Sequence, residues 1–195
     1  MVRAGFFGTR IVAKFLMSVG VALGLVAATA ASAFAQAEHV RWDIATAPPT
    51  VSAGGTATAA AQDGSTIAMM GSGTFVAPGG GPGSNGSTTG GGIWTTCNSG
   101  GGCTTGTYEV TGLVRWDREP GKGLPPGATD TIDNGTPSAG PVVLRIAYSD
   151  GSDGTLVVSC NLPPPNPQMF EGITATKGVV DYWHHLTGVT LFHVR

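Results

Sequence analysis

Past residue 36 the chain is chopped into short runs of β-branched and aromatic residues by glycine and proline, and that rhythm leaves no room for a long helix. Strand-like runs fall at 40–44, 65–76, 93–96, 105–116, 141–148, 155–162, 169–183 and 189–194, the seventh broken near Gly172 or Gly178. Within 105–116, Tyr108, Val110, Val114 and Trp116 alternate with Glu109, Thr111, Leu113 and Arg115, which predicts one row facing the core and one facing solvent. Between 144–148 and 155–158 the segment Asp150-Gly151-Ser152-Asp153-Gly154 reads as a hairpin turn, not as a calcium loop, because it lacks the ligand spacing and the closing Glu. The fold expected is all-β: an antiparallel β-barrel of about eight strands, with a two-sheet β-sandwich as the alternative. Three connections, 78–92, 119–140 and 161–168, are long, rich in Gly and Pro and poor in core formers.

The first residues carry a different pattern. Arg3, Arg10 and Lys14 precede an apolar run over 15–31, and Ala33-Phe34-Ala35 supplies an A-x-A cleavage site. Residues 1–35 therefore read as a cleaved signal peptide, and 36–195 as a single β domain that is secreted or periplasmic. The run is about 17 residues, short for a span that needs roughly 20, so no membrane contact is expected after cleavage. No Arg-Arg pair and no cysteine near Ala35 suggest twin-arginine export or lipid attachment.

What remains after Ala35 carries seven Lys and Arg against 12 Asp and Glu. That balance argues against nucleic acid or anionic lipid as a partner. Outside the cytoplasm Cys97 and Cys103, bracketing a flexible Gly-rich loop, read as a disulfide. Cys160 alternates in phase with Leu156 and Val158 and reads as a buried thiol, with pairing to Cys97 or Cys103 as the alternative. C-x5-C is not a zinc spacing, and no metal or cofactor site is read.

The phrases Gly71-Ser72-Gly73-Thr74-Phe75, Tyr108-Glu109-Val110-Thr111-Gly112 and Phe170-Glu171-Gly172-Ile173-Thr174 resemble those of uncharacterised secreted bacterial β-rich families. Their cadence is similar, more distantly, to the allene oxide cyclase-like and dirigent-like β-barrels. The resemblance implies an eight-stranded barrel whose interior takes an apolar ligand; it carries over no catalytic residue.

Four histidines occur: His39, His184, His185 and His193. If 186–188 is a tight turn, 179–194 is a terminal hairpin that sets Asp181 opposite His193, a pair able to orient an imidazole for acid–base work. The plainer reading is a surface cross-strand ion pair. Arg115 and Arg145 sit mid-strand; inside a barrel they need Glu109, Asp117 or a ligand carboxylate, and outside it they are solvated positions, the preferred reading. The candidate ligand-binding set is Trp116, Arg115, Arg145, Tyr148 and Trp183, although aromatics including Trp42, Trp94 and Phe170 also suit a plain core. There is no G-x-S-x-G, H-E-x-x-H or phosphate loop. Asn85-Gly86-Ser87 and Asn134-Gly135-Thr136 match glycosylation sequons, relevant only in a eukaryotic secretory pathway. Three functions fit: a barrel binding a small apolar ligand without reaction, a cyclase- or isomerase-type enzyme, and a structural or surface-interaction protein acting through its long loops.

Overall fold

The structure, a computed structural model, describes residues 37–77, 88–132 and 135–195. The expected signal peptide at 1–35 and the asparagines of both sequons lie outside the described residues. Fourteen strands and no helix are formed among those described: Glu38–Ala45 (β1), Thr50–Val51 (β2), Ala57–Ala60 (β3), Thr66–Ala77 (β4), Thr89–Cys97 (β5), Cys103–Trp116 (β6), Thr129–Asp130 (β7), Thr136–Ser138 (β8), Gly140–Tyr148 (β9), Asp153–Cys160 (β10), Gly172–Lys177 (β11), Val180–Tyr182 (β12), His184–Thr187 (β13) and Val189–Val194 (β14). The fold is all-β, as its alternating runs dictate.

Twelve strands make one antiparallel sheet, in the order β12-β11-β10-β9-β6-β5-β4-β1-β14-β8, with β3 on the first half of β4 and β13 on β3. The expectation of a closed barrel of about eight strands is not met. The sheet has more strands, and its hydrogen-bonded path ends at β12 and β8. It curls until β10 lies beside β14 and β11 beside β3 and β13. Across that seam side chains replace the ladder. Thr190 Oγ1 donates to the Ser159 carbonyl at 2.7 Å, and Glu171 Oε1 accepts from the Thr190 amide at 2.7 Å, while its Oε2 accepts from the Asn161 amide.

The inner face is filled. Trp42, Phe75, Trp94, Tyr108 and Phe192 are fully buried with a sleeve of Ile, Leu, Val and Met. Glycines make this possible: a Cβ on Gly71 would sit 2.2 Å from Tyr108 Oη, and one on Gly73 would sit 2.8 Å from Trp42 Nε1. The Gly71-Ser72-Gly73 phrase is thus a packing requirement of two large rings.

In β6 the expected alternation breaks. Two bulges, between Val110 and Gly112 and between Leu113 and Arg115, each add one residue against β9. One extra residue flips every later side chain, and a second flips them back. Leu113 therefore turns into the core between Val110 and Trp116, while Val114 is half exposed. The 144–158 hairpin forms as expected, with Leu156 opposite Leu144 and Asp150 capping Ser152.

The terminal hairpin over 179–194 does not form. β12 folds back on β11, placing Asp181 opposite Thr176, whereas β13 pairs with β3 and β14 pairs with β1 and β8. Gly188, at φ +128°, passes the chain from one neighbour to the next, where a Cβ would strike Ala57. Two expected loops are also shorter than read: Thr89–Gly92 belongs to β5, and 119–140 contains β7, β8 and the start of β9.

Candidate functional site

From β4 to β12 the sheet is an antiparallel meander, so its connections alternate between two ends. At one end lie tight links at 61–65, 98–102, 149–152 and 178–179. At the other stand the anchors of the three long ones, Ala77 and Thr89, Trp116 and Gly140, and Cys160 and Gly172. The second and third brace each other. The Gly123 amide donates to the Pro163 carbonyl at 3.2 Å, Asn166 Nδ2 to Glu119 Oε1 at 3.4 Å, and Lys122 Nζ to the Pro164 carbonyl. Within the third, the Asn161 side chain holds the turn through Asn166 and Met169. Glu38 on β1 ties in the second by accepting from Trp116 Nε1 at 3.2 Å and Arg118 Nη1 at 2.9 Å. Between the arms of the second connection is a cleft of about 420 Å³ lined by Arg118, Glu119, Pro120, Lys122, Pro137 and Ser138, among others. It is lined by two cations, a carboxylate, the hydroxyl residues Thr136 and Ser138 and two prolines on braced backbone.

The second connection then runs over the outer face of β1 and β14, where β7 pairs with β2. Beneath it lies a buried polar cluster. His193, wholly buried, faces Arg41 across the strand register, and its Nε2 lies 2.6 Å from Asp130 Oδ2. Arg41 grips the buried Asp43 through two bonds of 2.8 and 2.9 Å. His193 does have an aspartate partner, but it is Asp130, brought by the loop, and not Asp181. Both nitrogens of that ring are buried, and the bond to Asp130 pins the second connection to β14.

The other expected site residues scatter. Arg115 is exposed and paired with Asp117, and Arg145 points outward from β9 beside a cleft with Thr111 and Thr155. Trp116 closes the core against Phe75 and Phe192, with ring centroids 5.4 and 4.6 Å away. Tyr148 is buried at the tight-turn end, edge-on to Trp94 at 5.8 Å and donating to the Thr176 carbonyl at 2.8 Å; burial pushes its phenol well above the usual range. Trp183 is exposed, 5.5 Å from His184, and His185 stacks on Phe170 at 4.9 Å. The structure therefore does not gather Trp116, Arg115, Arg145, Tyr148 and Trp183 into one site. Cys97 and Cys103 are disulfide-bonded, and Cys160 is a free, buried thiol whose ionisation burial disfavours. Among the described residues no three His, Cys, Asp or Glu side chains cluster as metal ligands would.

Glu171 and Asp150 show opposite electrostatics. Burial pushes the Glu171 carboxyl up despite the amides it accepts from. Lys177 first, then Ser152, hold Asp150 down at about 2. Neither stands at the loop-end cleft.

No protein-family model, curated protein or solved structure matches the chain.

Proposed function

We propose that residues 37–195 are an exported recognition module that engages its partner through the loop end, without catalysing a reaction. One observation carries this reading: the three longest connections are anchored at one end of a filled sheet, and two of them are braced around the Arg118–Ser138 cleft. Rigid scaffolds with variable connections at one end are a common way to build a binding surface. The outward Arg115 and Arg145 and the sealed His193 favour binding over acid–base chemistry. The basic, apolar, small-residue pattern of 1–35 and the Cys97–Cys103 bond support a site of action outside the cytoplasm.

Photo-crosslinking residues placed at Pro120 or Gln168 on the loop end, and at Ser99 on the tight-turn end, test the reading in intact cells of the native host. A discrete crosslinked product from the first two positions and none from Ser99 is expected. Equal labelling at both ends, or none at Pro120 and Gln168, overturns it.

A further inference from the structure

Where the second and third connections brace each other, three side chains have a chemistry that goes further than a brace. Glu119 Oε1 lies 3.7 Å from Lys122 Nζ and accepts from Asn166 Nδ2 at 3.4 Å. One carboxylate oxygen thus faces an amine from one connection and a carboxamide from the other. Lys177, the other lysine among the described residues, pairs with Asp150 and Ser152 instead.

The carboxamide is held and polarised. The Gln168 amide donates to Asn166 Oδ1 at 2.9 Å, which draws electron density from Cγ, and the Asn166 amide donates to Asn161 Oδ1 at 2.8 Å, which fixes the backbone beneath it. Asn166 precedes Pro167, whose nitrogen carries no hydrogen. Asparagine commonly loses ammonia by attack of the next backbone nitrogen on its own Cγ, and here that route is closed. Lys122 supplies another nucleophile. Its side chain is 10% exposed, and its Nζ donates to the carbonyl of Pro164, two residues before Asn166. The flexible four-carbon stem lets Nζ swing from that carbonyl toward Asn166 Cγ.

We propose that Lys122 and Asn166 join in an intramolecular isopeptide bond, with Glu119 carrying the protons. The inference goes beyond the loop-end reading and does not depend on it. Glu119 takes one proton from the Lys122 ammonium, which frees the lone pair for attack on Asn166 Cγ. The Nζ–Cγ bond forms, and the Gln168 N–H faces the oxyanion. Glu119 passes its proton to Nδ2 and takes a second from the attacking nitrogen. The Cγ–Nδ2 bond breaks, and ammonia departs with that second proton as ammonium. One amine and one carboxamide become one secondary amide, and no oxidant or other reactant is consumed.

Intact mass and tryptic mapping of the folded chain purified from its native host read the bond directly. The mass is expected to fall short by one ammonia. Trypsin should cut after Arg118, Arg145 and Lys177 but not after Lys122, releasing 119–145 and 146–177 as one branched species lighter than their sum by one ammonia. Lys122→Arg should restore the full mass. Glu119→Gln, matched to wild type by far-UV circular dichroism, should also be recovered at full mass, because losing the proton carrier slows the step by about 100-fold or more. A wild-type chain at full mass, with Lys122 cut and acylated as readily as Lys177, overturns the proposal. An ammonia deficit that survives in Lys122→Arg overturns it equally, since the loss then lies elsewhere in the chain. A fully crosslinked Glu119→Gln chain refutes the role given to Glu119.

Discussion

Glu171→Ala should open the seam between the two arms of the curled sheet. The carboxylate accepts from the Asn161 amide with one oxygen and from the Thr190 amide and hydroxyl with the other, at 2.7 and 3.2 Å. Removing it leaves two backbone N–H groups without partners where β10 and β14 meet, each costing about 1–3 kcal/mol. Relief of the buried carboxylate offsets part of that sum, so the net loss should be about 2–4 kcal/mol, a large share of the ~5–15 kcal/mol typical of a domain. Urea denaturation gives the free energy, and native-state hydrogen exchange gives the location: the Asn161 and Thr190 amides should lose protection first. Glu171→Gln keeps one acceptor and should fall between the two. Because burial raises the folded pKa above the unfolded one, the protonated carboxyl favours the fold. This contribution is complete below the ordinary carboxyl value of ~4.3, declines as pH rises through the raised folded value, and should vanish in Glu171→Gln. A Glu171→Ala protein within ~0.5 kcal/mol of wild type, with both amides still protected, would refute side-chain closure of the seam.

Asp150, held down to about 2 by Lys177 and Ser152, contributes stability above the ordinary Asp value of ~3.9 that is lost as pH falls through about 2; Asp150→Asn should flatten the acid limb of a stability–pH curve. Gly71→Ala drives a methyl to 2.2 Å from Tyr108 Oη and 2.6 Å from the Gly91 carbonyl, so thermal unfolding should show a loss of about 1–3 kcal/mol, partly recovered on adding Tyr108→Phe. Asp130→Ala removes the carboxylate that the buried His193 bonds to; about 1–3 kcal/mol should be lost, with faster exchange of the Thr129 and Thr131 amides that hold β7 beside β2.

The long strands were legible because their residues obey a period of two and their ends carry turn chemistry. Val40–Ile44 and Leu144–Tyr148 lie where that logic puts them. The short strands were not: β2 and β7 are two residues each and exist because a loop lies over β1 and β14. β6 misled for a definite reason. Strict alternation assumes no bulge, and two bulges send Leu113 inward and Val114 outward. The His193 partner was out of reach for a similar reason. A local hairpin offers Asp181, 12 positions away, while the structure uses Asp130, 63 positions away, which only the path of the second connection brings near. The segment 186–188 reads as a tight turn, but Gly188 is a bend in a chain that continues forward from β13 to β14.

The shared end of the long loops is a different case, because the sequence contains the information in the order of connection lengths. Between successive long strands the links run long at 78–88, short at 98–102, long at 117–139, short at 149–152 and long at 161–171. In any antiparallel meander every second link returns to the same end, so a long-short-long-short-long order places all the long ones together whether the sheet closes or stays open. Closure was the harder question, and it turned on residues such as Glu171 and Thr190 whose roles have no periodicity. The loop-end surface needed only strand count and link length. A strand missed between 105 and 148 would have reversed the parity and separated the loops; β7 and β8 do not, since both lie within a single connection and neither crosses the sheet from end to end.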